Sequence, residues 1–561
     1  MHGFPWLAVV TFAPLAGALV LAFVPSRSTA AIRWWSLVVT LATFGLALGM
    51  LAQFQARAGF QLVEDVSWIG PLHARFLLGV DGISVFMVVL TSFLMPVAVL
   101  SSWRVERRAK TYFLAFLVLE TAVLGSFLAL DLLLFFVFFE AMLVPMYLII
   151  GGFGGRRRIS AAVKFFLYTM AGSAFLLLGI LFLYFRAGAV FGQPTFDLRR
   201  LEQLPLAVTT ARWLFLAFLA AFAVKVPLVP VHTWLSDAYG EAPTAGTFVL
   251  SALLAKVGAY GLIRFGLTLF PEPSAYFRGL VMTLAVISIV YGAIVAIGQT
   301  DLKRVVAYSS VSHLGFVVLG TFAIAGTLAA GTQALSGAVL YMVNHGISTG
   351  ALFLLVGMLA ERTRTRTLGE FGGVGKEAPL LAGMFLFASL ASVGLPGLNN
   401  FVSEFLVLLG TFQDSVLAAS FAVTALILSA IYLLWAYQRA FHGPVVAPAL
   451  APIAGGSGHA ASPVAAAPEG DRPRMRDLSI REWVVIAPLA AAMLFLGVYP
   501  KPLLSRIEPT AQRAVACQQV RSAPLPRGAL ALTRQEQQLL RACGVPAAGG
   551  AGAVSAEGVS R

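Results

Sequence analysis

The chain has 561 residues, 59% of them hydrophobic and 11% charged, with a mean hydropathy of +0.86, far above the composition of a soluble globular domain. A formal net charge of +14 would suit a nucleic-acid binder, but the basic residues gather in loops between apolar runs and in the C-terminal tail, with no aromatic-interleaved basic surface, so sided membrane loops explain it better. Both cysteines, Cys517 and Cys543, lie in the tail, which argues against thiolate metal sites and c-type haem attachment and leaves a disulfide chemically allowed if the tail is periplasmic.

Hydrocarbon about 30 Å thick needs about 20 apolar residues per crossing helix, and such runs recur from Pro5 almost to Pro500. Turn signals divide them into about fourteen helices, with cores near 5–24, 34–54, 78–101, 111–129, 132–150, 161–186 and 211–230, then near 244–269, 278–298, 304–326, 329–360, 379–411, 415–439 and 482–500. The expected fold is an all-α polytopic membrane protein. Its first run has no basic residue ahead of it and leads into further spans, so it reads as a helix and not as a cleaved signal peptide.

Basic loops at 103–110, 151–158, 299–304 and 361–367 follow the third, fifth, ninth and eleventh predicted helices, which puts them on one side, the cytoplasm of a bacterial inner membrane. The loop FDLRRLEQ at 196–203 is a basic exception on the other side. An even helix count then makes both termini periplasmic. Residues 443–480 form an Ala/Pro-rich segment expected as a disordered cytoplasmic loop, 481–500 the last helix, and 501–561 a polar periplasmic tail in which TRQEQQLLRA could make a short helix.

Arginine outnumbers lysine 32 to 7, yet the cations in the middle of predicted helices are Lys225 and Lys256. Arginine stays protonated in proteins, whereas a buried lysine can lose its proton because desolvation disfavours the charged form. A rise of about 1.5 Å per residue puts Lys225 roughly 21 Å into the seventh helix, Lys256 roughly 18 Å into the eighth, Glu140 roughly 12 Å into the fifth and His313 roughly 14 Å into the tenth. His345 and Glu404 also lie inside apolar runs, as does Glu120 in the fourth helix, while Asp81 is expected at the interface. One charge at mid-depth costs roughly 3 kcal/mol on insertion scales, so several together imply pairing or water. Glu140 is expected to pair with Lys225, with His232, His313, His345 and Glu120 as relay candidates. The bland alternatives are a packing clamp for the Lys–Glu pair and a hydrogen-bonded structural role for each histidine.

Pro227 and Pro230 remove helix donors just past Lys225, so the seventh helix should be discontinuous, and Gly394, Pro396 and Gly397 should break the twelfth just ahead of Glu404. Breaks in corresponding positions of two halves point to inverted repeats around a midplane ion site. The offset suggests N-terminal helices at 1–110, a first five-helix repeat at 111–270 and a second at 277–440, an odd count per repeat forcing the inversion.

The stretches KVPLVPVHTWLSDAYGEAPTAGTFVLSALLAKVGAYGLIR (225–264), DLKRVVAYSSVSHLGF (301–316) and GLPGLNNFVSEFLVL (394–408) resemble the antiporter-like membrane subunits of respiratory complex I and their Mrp antiporter relatives. The resemblance covers roughly residues 1–500 and is nearest the M type, whose twelfth-helix residue is a glutamate as Glu404 is here. It implies fourteen helices, a proton half-channel in each repeat, and proton transfer by Glu140, Lys225, Lys256 and Glu404. It further implies L-type and N-type antiporter-like subunits as membrane neighbours. No flavin, nucleotide, haem or iron–sulfur motif is found on the chain, so FMN, iron–sulfur clusters and quinone are expected on partner subunits. The rival readings are a Mrp-type sodium/proton antiporter subunit, a membrane-bound hydrogenase pump subunit, and a scaffold that only spaces other subunits.

Overall fold

A computed structural model describes residues 4–443, 475–522 and 543. Among them twelve helices are long and apolar enough to cross a membrane, and Val85–Ser101 and Pro379–Val393 are shorter apolar helices. In chain order the chief elements are α1 (Trp6–Phe23), α2 (Thr29–Gln53), β1 (Gln61–Ile69), β2 (Ala74–Val80), α3 (Val85–Ser101), α4 (Ala109–Leu128) and α5 (Leu132–Phe153). Then follow α6 (Arg158–Phe191), α7 (Val208–Lys225), α8 (Thr233–Glu241), α9 (Thr244–Leu267), α10 (Arg278–Ile297), α11 (Leu302–Phe322) and α12 (Leu328–Thr363). The last are α13 (Pro379–Val393), α14 (Asn399–Asp414), α15 (Val416–Phe441), α16 (Ile480–Val498) and α17 (Lys501–Ser522).

The span expected at 78–101 starts late, because Ala74–Val80 pairs antiparallel with Gln61–Ile69. Hairpin pairing satisfies backbone groups that a helix would otherwise have had to satisfy internally. Glu64 on β1 accepts from the Leu7 and Ala8 amides at 2.8 and 3.0 Å, setting an anion at the N-terminus of α1. The hairpin thus fastens the first helix.

Both expected breaks are present. α7 stops at Lys225 and the short helix α8 starts at Thr233. Pro227 cannot donate to Ala223, so the Leu228 amide shifts to that carbonyl at 2.9 Å, and the Val224 carbonyl it leaves is capped by the Trp234 indole N–H at 2.9 Å. α13 ends on Gly394 in the left-handed region at φ +84°, with Gly397 at +92° before α14 begins. α16 packs on this second break so closely that a Cβ on Gly497 would lie 2.3 Å from the Gly397 carbonyl oxygen. A third, unexpected interruption falls at Met142 inside α5, where Pro145 deprives a carbonyl one turn earlier of its donor.

One local device occurs twice. Asp131 caps α5 by accepting from the Leu133 and Leu134 amides, and its backbone bridges Asp197 in the segment after α6. Asp301 caps α11 by accepting from the Lys303 and Arg304 amides, and bridges Thr367 in the segment after α12. The two sites are five predicted helices apart.

The region beyond 500, expected as polar tail, holds α17, with Ile507, Thr510, Ala511, Val515 and Gln518 buried along one side. It packs over the N-terminal end of α12, where a Cβ on Gly331 would meet Val515 at 2.8 Å. Cys517 on α17 is joined to Cys543 by a disulfide. The segment TRQEQQLLRA and most of the loop expected as disordered lie outside the described residues. That loop's last residues are ordered: Asp477 accepts from the Leu380 and Leu381 amides, each at 2.9 Å, and so caps α13.

Candidate functional site

α7 brings Lys225 to its final residue, buried, with the ammonium 4.4 Å from the centre of the Phe139 ring. The expected Glu140–Lys225 contact is looser than a salt bridge. The carboxylate and the ammonium interact through space, but no ion pair joins them among the described residues, and the Phe139 ring covers the cation. Lys225 Nζ and Glu140 Oε1 make no hydrogen bond to protein. His232 is buried in the linker just before α8, in edge-on contact with Tyr291 at 5.1 Å, and neither ring nitrogen makes a well-formed hydrogen bond. Glu120 is fully buried on α4, and neither of its oxygens makes a hydrogen bond among the described residues.

α9 lies against this group through Gly258, where a Cβ would come 2.8 Å from Lys225 Cβ. Two residues earlier on that helix stands Lys256, fully buried. π-helical turns at Leu250–Leu254 and Leu262–Leu267 flank it, a distortion that frees carbonyls and recurs at functional sites. Lys256 Nζ donates to one such carbonyl, that of Ser251, and bonds His345 Nδ1 at 2.6 Å.

From there the polar groups continue across one step that no hydrogen bond bridges, since His345 Nε2 has no hydrogen-bond partner among the described residues. The His345 and His313 rings lie 5.5 Å apart between centres. His313 Nδ1 bonds the Tyr341 hydroxyl at 2.6 Å, and that hydroxyl donates to Glu404 Oε1 at 2.5 Å. Tyr432 stands on the other side of His313, its hydroxyl 3.5 Å from Nε2. His313 and Glu404 themselves are 3.7 Å apart, too far for a direct bond, so the phenol is the bridge. Glu404 lies in the second turn of α14 and turns its carboxylate back to the break, where a Cβ on Gly394 would fall 2.1 Å from its Oε2. Beside it, Asn344 on α12 and Asn399 exchange amide-to-carbonyl bonds at 2.7 and 2.9 Å, and Asn344 also reaches Ser403 at 3.1 Å. These latch α14 to α12.

Four of the expected residues, Lys256, His345, His313 and Glu404, thus fall on one row, Lys225 and Glu140 form a second group beside it, and His232 marks the edge of the first break. Asp81, expected at the membrane interface, is buried within the protein and pairs with Arg264 of α9 at 2.6 Å. Burying the two together spares each an unpaired charge. Tyr341 and Tyr432 escape a reading that looks only for strong acids and bases. Tyr341 stands four residues before His345, on the same helical face, and that spacing is the signal that would have found it; Tyr432 had none.

A family model described as NADH:quinone oxidoreductase/Mrp antiporter, TM, matches residues 129–429, from the cap of α5 into α15. A protein of Mycobacterium tuberculosis named NADH-quinone oxidoreductase subunit M is 42% identical, over 92% of this chain and 95% of its own. The chain belongs to this family. Among solved structures, a chain of respiratory complex I from Thermus thermophilus with bound NADH superposes with a TM-score of 0.77 at 32% identity, covering 91% of this chain and 99% of its own. A chain of the Mrp complex from Dietzia sp. DQ12-45-1b reaches 0.76 at 23% identity, covering 92% and 99%, which shows a shared fold. Every member of the two polar groups from Glu140 to Glu404 falls inside the matched family segment, and Tyr432 lies three residues beyond its end. Lysines inside its helices therefore belong to a family whose description pairs oxidoreduction with ion antiport.

Proposed function

We propose that this chain is a proton-translocating membrane subunit of an NADH:quinone oxidoreductase, of the M type, with electron transfer carried out on partner subunits. The observation that carries the reading is the buried chain from Lys256 through His345, His313 and Tyr341 to Glu404, set in apolar helices. A packing scaffold has no use for titratable groups at that depth, each of which disfavours insertion. Lys225 and Lys256 are the proton carriers, Glu140 modulates Lys225 through space, and Glu404 is the terminal acceptor. His313, His345 and Tyr341 relay between them, and His232 and Glu120 remain relay candidates of the first half.

The twin aspartate caps and the two breaks support residues 111–270 and 277–440 as inverted repeats. The basic loops support a cytoplasmic side shared by 103–110, 151–158, 299–304 and 361–367, hence periplasmic termini in a bacterial inner membrane. Antiporter-like L-type and N-type subunits are its membrane neighbours, and FMN, iron–sulfur clusters and quinone belong to the assembly's other chains. A Mrp-type sodium/proton antiporter subunit is the second reading, favoured by the near-equal superposition and disfavoured by the lower identity and by Glu404.

Lys225→Arg tests the reading: arginine keeps the charge and loses the titration. In native membrane vesicles with the assembled complex, protons pumped per NADH fall while electron transfer continues. Full pumping would make Lys225 a fixed counter-charge and move the carrier role to Lys256. Sodium-dependent transport without NADH would move the assignment to the antiporters.

A further inference from the structure

The short helix α8 is the one helical segment between Lys225 and α9, and its C-terminal end is held by cations from elsewhere in the chain. Lys303, buried near the start of α11, donates from Nζ to the Ala242 carbonyl at 2.6 Å. Arg366, in the segment after α12, donates to the Gly240 carbonyl at 2.5 Å. Those carbonyls belong to the last turn of α8, where a helix has no internal donors left and where its dipole favours positive charge. On the side of the same helix, Asp237 meets Lys164 at 2.7 Å and Arg304 at 3.5 Å.

Three of these four cations, Lys303, Arg304 and Arg366, come from the second half of the chain, and they are tied to one another. Asp301 caps the two at the start of α11 through their amides, pairs with Arg366 at 3.4 Å, and bridges Thr367 through its backbone. At its other end α8 is fixed to α7 by the Trp234 indole on the Val224 carbonyl, one residue before Lys225. A rigid line therefore runs from the α11 cap, through α8, to the last turn of α7.

We infer that Lys303, assisted by Arg304 and Arg366, is a positioning residue for proton exchange at Lys225, acting through α8 and Trp234; this rests on the proton-carrying reading of Lys225. A shift of the α11 cap moves the C-terminal end of α8, and the indole transmits the movement to the residue beside the lysine. The second half of the chain thereby sets when the first half exchanges its proton. Rigid segments that end on hydrogen-bonded caps carry such coupling without any chemical change along the way.

The test uses the assembled complex in sealed native vesicles, measuring protons pumped per NADH in Lys303→Met, in Lys225→Arg and in the double variant. Lys303→Met lowers the ratio to the level of Lys225→Arg, and the double variant falls no further, because both changes remove the same step. An unchanged ratio in assembled Lys303→Met overturns the inference and leaves the reading of Lys225 standing. So does a further fall in the double variant, which would put Lys303 on a separate route. If Lys225→Arg alone pumps fully, the reading of Lys225 fails and the inference with it. Should Lys303→Met not assemble, Asp237→Asn, which weakens the hold of Lys164 and Arg304 on the side of α8, is judged by the same comparison.

Discussion

Replacing Tyr341 by phenylalanine removes one oxygen and leaves the ring, so the change isolates the bridge between His313 and Glu404. That oxygen makes hydrogen bonds of 2.6 Å to His313 Nδ1 and 2.5 Å to Glu404 Oε1. With it gone, the remaining separation of 3.7 Å between the imidazole and the carboxylate exceeds hydrogen-bond reach. A hydrogen bond to a charged group contributes about 1.5–3 kcal/mol. If that falls on the barrier to proton passage, transfer through this point slows about 10- to 150-fold. The assay is proton uptake against NADH oxidation in coupled vesicles, with assembly checked by native electrophoresis. Expected is a lower proton ratio with NADH oxidation intact once an uncoupler is added. An assembled Tyr341→Phe complex that pumps at the parental ratio and coupled rate would refute the bridge.

Gly394→Ala places a methyl group 2.1 Å from Glu404 Oε2 at a backbone angle of φ +84°, so it displaces the carboxylate and adds left-handed strain of about 1–2 kcal/mol; reduced pumping at near-normal assembly is expected, and an unchanged proton ratio would count against the placement of Glu404. Arg264→Ala leaves Asp81 buried without its partner, at a cost of about 3–5 kcal/mol, and should lower the thermal midpoint of the solubilised complex; a midpoint equal to the parent's would show the pair to be dispensable. The Cys517–Cys543 link closes a separation of 26 residues, for which chain entropy gives about 3.5 kcal/mol. Reducing it should speed limited proteolysis of α17 without altering proton pumping, and a pumping defect on reduction would give the tail a functional part.

The broken helices were legible because proline and glycine act on the backbone they occupy: Pro227 and Pro230 end α7, and Gly394 ends α13, whatever surrounds them. Lys225, Lys256 and Glu404 were legible because charge inside an apolar run is costly wherever it packs. What the sequence could not carry was which charges meet. Asp81 reads as interfacial beside a glycine-rich turn, yet it finds Arg264 some 180 positions later, a pairing that only tertiary packing creates. Glu140 and Lys225 look like a salt bridge by type and depth, but Phe139 takes the position over the ammonium. The hairpin before α3 escaped because its first strand, Gln61–Ile69, carries no apolar run and the last three residues of its second, 78–80, read as the start of a helix.

A phenol has one proton to give, and that of Tyr341 goes to Glu404, so its oxygen must receive from His313 Nδ1. The neutral ring then keeps Nε2 bare, on the side facing Tyr432. A proton arriving at Nε2 can push the one on Nδ1 through the hydroxyl to the carboxylate in a single concerted shift. Afterwards the wire is polarised backwards: the ring holds its proton on the other nitrogen and the hydroxyl points at the imidazole. Nothing more passes until the ring exchanges its tautomer and the hydroxyl swings round. In the proposed relay such a wire would count, delivering one proton for each reorientation, and the slower turn of the groups, more than the fast hop, would set how tightly movement is tied to charge.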